Sequence, residues 1–284
     1  VAEHERVIRH ISDTARWAAV FRARESERPD ALFKDPFARK LAGNRGEEIA
    51  AALPFHTKNE WSWMSRTYLF DRVINSQIAQ GTDMIVNLAA GLDARPYRMS
   101  LPPVLQWVEV DFPEILDYKE EIISDAKPVC VFERVRMDLA DVNARRNLFD
   151  ALGKRAKRIL VMTEGLIVYL TAEEVGVLAD DVARPQAFHN WVTDLASPGL
   201  LKMLQKGTHS QFTKDVPLLK FAPANGPDFF APHGWKLISA DSMIKAAAKL
   251  KRLSFGLRLA AMLPENPVKM GSRPWSAVCL FERK

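Results

Sequence analysis

The amino-acid sequence predicts an α/β protein built on a doubly wound, mostly parallel sheet with an antiparallel last strand and an N-terminal helical cap. Three observations carry this. From Met84 onward, short apolar runs alternate with helical stretches, the pattern of a parallel sheet covered on both faces. Residues 1–80, by contrast, offer helical periodicity and no strand-like run. The chain has 284 residues, 48% hydrophobic and 26% charged, the balance of a globular protein with a substantial core.

The elements follow in order. From His4 to Glu27, Val7, Ile8, Ile11, Ala15, Ala18, Ala19 and Phe21 recur at spacings of three and four, which predicts an amphipathic helix ending before Pro29. Asp35-Pro36 opens a second helix, with proline in the first position, where its missing N–H costs nothing. Glu60 to Ile78 is a third, rich in aromatics at Trp61, Trp63, Tyr68 and Phe70. The sheet then draws strands from Met84–Leu88, Leu105–Val110, Val129–Arg136, Arg158–Thr163 and Ala187–Asp194. Helices over Phe112–Ser124, Val142–Leu152 and Ala172–Ala183 connect them, and right-handed crossovers make the sheet doubly wound. Residues 197–230, with Pro217, Pro223 and Pro227, read as a flap of irregular loops and a short helix. A strand over Gly234–Ser239, a basic helix over Lys245–Arg258 and a strand over Trp275–Arg283 complete the sheet as an antiparallel hairpin. The expected organisation is a cap, residues 1–80, that contributes to the site, and a core, residues 81–284.

Composition narrows the function classes. Forty basic and 35 acidic residues leave a net charge of +5, a mixed surface that does not imply nucleic-acid binding. Within the basic helix, Lys245, Lys249, Lys251, Arg252 and Arg258 are interleaved with Ile244, Leu250, Leu253 and Leu257. That pattern fits a solvated face on a core helix, or a contact with an anionic substrate or acidic surface. No run approaches the roughly 20 apolar residues of a membrane span, and Val1 to Arg16 holds no signal-peptide core, so a cytoplasmic location is expected. Cys130 and Cys279 sit in apolar runs and read as buried, reduced thiols. The six histidines form no His-x-x-x-His pair, and no metal site is expected.

The segment from Asn87 to Arg98, Asn-Leu-Ala-Ala-Gly-Leu-Asp-Ala-Arg-Pro-Tyr-Arg, carries the chemistry. A strand runs into a turn of small residues, where Gly91 lets the backbone bend and a ligand lie against it. Asp111 ends the next strand about 20 residues on, where a Rossmann-type acid meets ribose hydroxyls. Either this is a nucleoside cradle or an ordinary glycine turn. The three glycines that a pyrophosphate wants are missing, and Asp93 at the turn repels phosphate. A nucleoside with a cationic or zwitterionic tail, such as S-adenosylmethionine, escapes that penalty. Asp93 and Arg95 either pair with each other to shape the turn or contact the ligand directly. Glu164 follows the buried run Ile159 to Met162, at the end of a strand where such sheets place ligand groups.

Four segments, Arg24–Ala38, Ser65-Arg66-Thr67, Asn87–Arg98 and Glu164-Gly165-Leu166-Ile167-Val168-Tyr169-Leu170, carry a resemblance that extends over nearly the whole chain. By them the chain resembles the leucine carboxyl methyltransferase family, and more closely its bacterial branch of S-adenosylmethionine-dependent O-methyltransferases linked to polyketide tailoring. The resemblance implies a Rossmann-like methyltransferase sheet, S-adenosyl-L-methionine as cofactor and S-adenosyl-L-homocysteine as product. It implies that Arg66 grips the methionyl carboxylate, with Arg24 beside it, although Arg22 and Arg28 are close enough in sequence to take that place. Gly91 and Ala89 would face the amino-acid part, Asp111 the ribose hydroxyls, and Asp138 and Leu139 the adenine. Glu164 would lie beside the methionyl group and Tyr169 at the substrate entrance. Ala89 stands where the family carries the first glycine of Gly-x-Gly-Leu-Asp, so its methyl group either crowds the cofactor or tightens the turn.

Methyl transfer from a sulfonium needs alignment and a dry pocket more than an acid. A carboxylate acceptor needs no base, whereas a phenol does. His189, His209 and His233 are the candidate bases; His189 is placed on a strand, and His209, in the flap, is the first to test. The expected acceptor is a small hydrophobic, polyketide-like molecule presenting a carboxylate or hydroxyl, and the expected assembly is a monomer or homodimer. The competing readings are an inactive S-adenosylmethionine-binding protein, a protein C-terminal carboxyl methyltransferase and a nucleic-acid methyltransferase.

Overall fold

The computed structural model describes residues 11–53, 59–208 and 219–284. Three helices come first: α1 (Ile11–Glu27), α2 (Ala38–Ala52) and α3 (Glu60–Ala79). There follow β1 (Met84–Leu88), a single turn α4 (Arg95–Arg98), β2 (Gln106–Asp111), α5 (Pro113–Ile122), β3 (Val131–Arg136), α6 (Val142–Gly153), β4 (Ile159–Thr163), α7 (Ala172–Ala183) and β5 (Phe188–Ala196). The chain continues through α8 (Pro198–Thr208), a 3-10 segment (Gly226–His233), β6 (Trp235–Ser242), α9 (Met243–Lys249), α10 (Phe255–Ala261) and β7 (Ser276–Arg283).

Seven strands form one sheet in the order β3-β2-β1-β4-β5-β7-β6. The pairs from β3 to β5 are parallel, and β7 runs antiparallel to both β5 and β6. The sheet is therefore the doubly wound one expected, with its switch point between β1 and β4, where ligands bind outside the carboxyl ends of the strands. β1 and β4 are buried along their whole length, which explains why they read as nearly continuous apolar runs, broken only by Asn87 and Thr163, rather than alternating ones.

Successive residues of each strand serve opposite faces. Met84, Val86, Leu88 and Trp191 pack with Phe149 and Leu152 of α6 and Val175, Leu178 and Val182 of α7. Ile85, Trp107, Leu160, Met162 and Val192 pack instead with Leu69, Phe70, Val73 and Ile74 of α3. Each such side chain contributes about 1.5–3 kcal/mol by leaving water. α3, assigned to the cap from the sequence, thus covers a face of the sheet. The cap's own core joins Trp17, Val20 and Phe21 of α1 to Leu41 and Ile49 of α2 and Ile115 and Leu116 of α5.

Helix ends are set locally. Thr171 and Glu174 form a reciprocal capping box on α7, and the Asp141 carboxylate accepts from the Ala144 N–H to cap α6. α2 begins at Ala38 rather than at Pro36, because Asp35 turns its carboxylate to the Phe37 N–H.

Two sequence readings change. Of the expected flap, α8 is helical, but Phe221 and Phe230 are buried in the core with Trp191 and Trp235. Aromatic clustering without a period hid that role from a periodicity argument. The basic helix is broken into α9 and α10 at Leu250–Ser254, where Lys251 takes a positive φ of 59°. Cys279 is buried as expected and Cys130 half-buried. Among the described residues, no helix is long and apolar enough to cross a membrane.

Candidate functional site

The turn after β1 is held by its own side chains. Ala89 and Gly91 both adopt positive φ, 54° and 51°, a region that costs an alanine about 1–2 kcal/mol and a glycine almost nothing. A Cβ on Gly91 would come to 3.4 Å of Ala15 of α1, the edge of ordinary contact, so it is the positive φ rather than crowding that favours glycine there. Asn87 Nδ2 donates to Asp93 (2.9 Å), and Asp93 accepts the Arg95 N–H (2.9 Å). Asp111, the last residue of β2, accepts from the Gly91 N–H at 2.6 Å and the Phe112 N–H at 2.7 Å. Burial raises its carboxyl above the ordinary value, against the lowering effect of those two hydrogen bonds. Each Asp111 oxygen keeps a second lone pair, since a carboxylate offers about four acceptor sites.

Beside the turn lies a network of arginines and acids. Arg66 of α3 donates from Nε to Glu164 at 3.1 Å and from Nη1 to Asp194 at 3.4 Å, and stacks over Trp63. Among the described residues, no partner is found for its Nη2. Arg95 reaches Glu164 at 2.8 Å, Asp93 at 2.9 Å and Asp71 at 2.6 Å, and Arg98 completes the Asp71 contacts at 2.8 Å. Burial alone would raise the Asp93 carboxyl; Arg95, with Lys119 and Arg98, outweighs it and holds the group at about 2. Asp194, near the end of β5, also accepts the Gly165 N–H at 2.7 Å. Its carboxyl is raised by burial, with Arg66 acting in the other direction. The Tyr169 hydroxyl, hydrogen-bonded to Thr14, is likewise raised by burial against the effect of Arg66.

These groups line one cavity of 390 Å³ at the carboxyl ends of β1, β2, β4 and β5, within the range of cofactor sites. Its charged lining among the described residues comprises Arg22, Arg66 and Arg95 against Asp93, Asp111, Glu114, Glu164 and Asp194. The excess of carboxylates suits a ligand that carries positive charge. Leu200, Met203, Leu204, Leu219 and Phe221 supply an apolar wall.

The structure brings together Arg66, Ala89, Gly91, Asp111, Glu164 and Tyr169, all of which line this cavity. It does not bring Arg24 there. Arg24 pairs with Glu47 at 3.0 Å and lines a second, smaller cleft, because α1 turns the stripe Ala15, Ala18 and Arg22 toward the site. Residue 24 lies about 200° around the helix from residue 22. Arg22 lines the cavity, pairing with Asp35 at 2.9 Å and donating to the Leu92 carbonyl at 2.6 Å.

Asp138 and Leu139 also lie outside the lining. Asp138 is exposed and accepts from the Ala140 N–H (2.8 Å), while the Leu139 carbonyl accepts from Arg145 (2.6 Å). The turn after β3 thus satisfies itself, and Phe112 and Ile115 line the cavity beyond Asp111. His209 falls outside the described residues. His189 is on β5 and His233 hydrogen-bonds Asp180 at 2.8 Å; neither lines the cavity. Asp93 and Arg95 do form an ion pair, and both line the cavity. Sequence reasoning missed Asp194, although the rule that singled out Glu164, an acid at the carboxyl end of a buried strand, applies to it equally.

The chain matches the family model described as leucine carboxyl methyltransferase over residues 15–183. It is 31% identical over 273 residues to a protein of Parafrankia sp. (strain EAN1pec) provisionally named an S-adenosyl-L-methionine-dependent methyltransferase, covering 88% of this chain and 84% of that one. A similarly named protein of Rhodococcus jostii (strain RHA1) is 28% identical, with 94% of each chain covered. Among solved structures, a DUF574 family protein from Streptomyces avermitilis superposes with a TM-score of 0.60 at 11% identity, covering 95% of this chain and 97% of that one. A protein from Thermobifida fusca YX, provisionally named a methyltransferase, gives 0.58 at 14% identity, with 92% and 96% covered.

Proposed function

Given that the chain belongs to the leucine carboxyl methyltransferase family and is an S-adenosylmethionine-dependent methyltransferase, we propose that it methylates an oxygen, carboxylate or hydroxyl, of a small hydrophobic, polyketide-like acceptor. The observation that carries this reading is that one cavity joins carboxylates at the strand ends to apolar side chains of α8 and of Leu219 and Phe221. The carboxylates suit the donor and the apolar side chains an apolar acceptor.

The residues fit the cofactor. Asp111 has lone pairs left after its two backbone contacts and accepts the ribose hydroxyls. Arg66 turns Nε and Nη1 to Glu164 and Asp194, leaving Nη2 for the methionyl carboxylate. Glu164 and Asp194 offset the positive charge of the sulfonium and ammonium groups. S-adenosylmethionine supplies an electrophilic methyl group, and the protein's share is to align it, exclude water and hold the acceptor oxygen in line. Tyr169 and the wall formed by Leu200, Met203 and Leu204 shape the acceptor side.

Asp194 bears on the choice of acceptor. Its raised carboxyl is a better proton acceptor than an ordinary aspartate, and Glu164 and Asp194, the two acids beside Arg66, disfavour an incoming carboxylate. A hydroxyl acceptor that hands its proton to Asp194 fits both facts. The test is transfer of labelled methyl from S-adenosylmethionine to matched panels of hydrophobic carboxylic acids and phenols, with wild type and Asp194→Asn. Label in phenols that falls in the variant supports the hydroxyl reading; label in acids alone, unaffected by the variant, supports the carboxylate. Label in neither panel, with cofactor bound, refutes the proposed acceptor class.

A further inference from the structure

The outer face of α10 is apolar where the rest of the surface is mixed. Phe255 and Leu259, 77% and 53% exposed, share one side of α10 at a spacing of four residues, and Met262 and Leu263, 80% and 58% exposed, follow directly in the turn that ends it. The opposite side does the packing: Leu257 and Ala261 join Leu253, Ala247 and Trp61 in a small core. These exposed side chains are therefore not required to hold α10 in place. Single exposed apolar residues are common, whereas a contiguous set marks a contact surface.

Charge indicates what the contact is. From Met243 to Leu263 the sequence holds five cations and no acid. Arg252 is committed to Glu25 at 2.9 Å and Asp30 at 2.7 Å, and Lys245 lies 3.8 Å from Glu265. Arg258 of α10, Lys249 at the end of α9 and Lys251 in the link between them are left exposed, Lys251 beside the cleft that Glu25 and Glu60 also line. Side chains as exposed as Phe255 and Met262 stand out from the surface, and a Cβ on Gly256 would meet nothing within 4 Å beyond its chain neighbours and its own helix backbone. Protruding apolar groups with exposed cations on the same acid-free stretch of chain match a fluid anionic bilayer, which needs no shape complementarity and attracts each nearby Lys or Arg.

We infer that the α9–α10 segment docks the enzyme on an anionic phospholipid surface, with Phe255, Leu259, Met262 and Leu263 entering the interface and Lys249, Lys251 and Arg258 meeting the headgroups. The position ties this surface to the catalytic cavity. Trp61 packs against Leu253 and Ala261 on one side and lines the cavity with the other, and Met243 at the start of α9 lines it too. An apolar acceptor dissolved in the bilayer would be taken up on the side of the cavity that Trp61 and Met243 line.

The test is co-flotation of the full chain with vesicles of phosphatidylcholine alone or with about one third phosphatidylserine. Partition onto the anionic vesicles should exceed that onto the neutral ones by about tenfold or more and weaken as salt rises. Phe255→Ser with Met262→Ser, and separately Lys249→Gln with Lys251→Gln, should each lower it by about tenfold or more, with thermal unfolding and cofactor binding unchanged. Equal retention on both vesicle types, no retention, or retention unaffected by either pair overturns the inference. So does a solution dimer that Phe255→Ser with Met262→Ser dissociates, since a second copy then covers the face. Because the readout is partition, failure of the proposed methyl acceptor leaves this result unaltered.

Discussion

Replacing Asp111 by asparagine separates the two tasks assigned to it. In the wild type its oxygens accept the Gly91 and Phe112 N–H groups at 2.6 and 2.7 Å. Asparagine keeps one acceptor and turns an NH2 toward the other N–H, donor against donor. A buried N–H left unpaired costs about 1–3 kcal/mol, which lowers the melting temperature by about 2 °C per kcal/mol for a chain of this size. On the cofactor side at least one charge-assisted hydrogen bond to ribose is lost, worth about 1.5–3 kcal/mol, so Kd should rise by about 10- to 150-fold. Isothermal titration with S-adenosylmethionine reads the second effect and thermal unfolding of the ligand-free protein the first. Affinity within about threefold of wild type, a difference below 1 kcal/mol, would refute the ribose contact even if stability falls. Unchanged stability would refute the role in holding the turn.

Ala89→Gly relieves a positive φ of 54°; the gain of about 1–2 kcal/mol is offset by about 0.5–1 kcal/mol of unfolded-chain entropy. Denaturant unfolding should show a net gain of about 0.5–1 kcal/mol, and a loss would mean that the methyl group packs usefully. Lys119 and Glu109 are buried without exposure and meet at 2.6 Å, so Lys119→Met should cost about 3–5 kcal/mol, most of it recovered by adding Glu109→Leu. A double variant no more stable than the single one contradicts the stranded-charge argument. Asp93 is depressed from 3.8 to about 2 in the fold, so its stabilising contribution is complete above the unfolded value and is lost as pH falls through the folded one. That is worth about 2 kcal/mol between about pH 4 and pH 2. Asp93→Asn should flatten this part of the stability curve, and an unaltered acid limb would show that other carboxylates govern it.

What was legible in the sequence is what local pattern encodes. The buried strands β1 and β4 announce themselves as apolar runs, and Gly91, Asp111 and Glu164 as exceptions at or just past the carboxyl ends of β1, β2 and β4, because a parallel sheet puts its ligand groups there. Phe221 and Phe230 lack a period, and their place in the core depends on Trp191, some 30 to 40 residues earlier in the chain, as well as on Trp235 close by. The sheet order, the commitment of Arg24 to Glu47 and the exposure of Asp138 likewise depend on distant partners.

By itself the sequence determined the class of sheet, the small-residue turn and the acids that end its strands, since these follow from burial and backbone sterics within a few residues. The tertiary structure alone decided which arginine of α1 reaches the cavity, that Asp194 and Glu164 share Arg66, and that α10 leaves its apolar face uncovered among the described residues. Helix phase relative to a neighbour, and the pairing of charges from β4, β5 and α3, are set by packing across the fold.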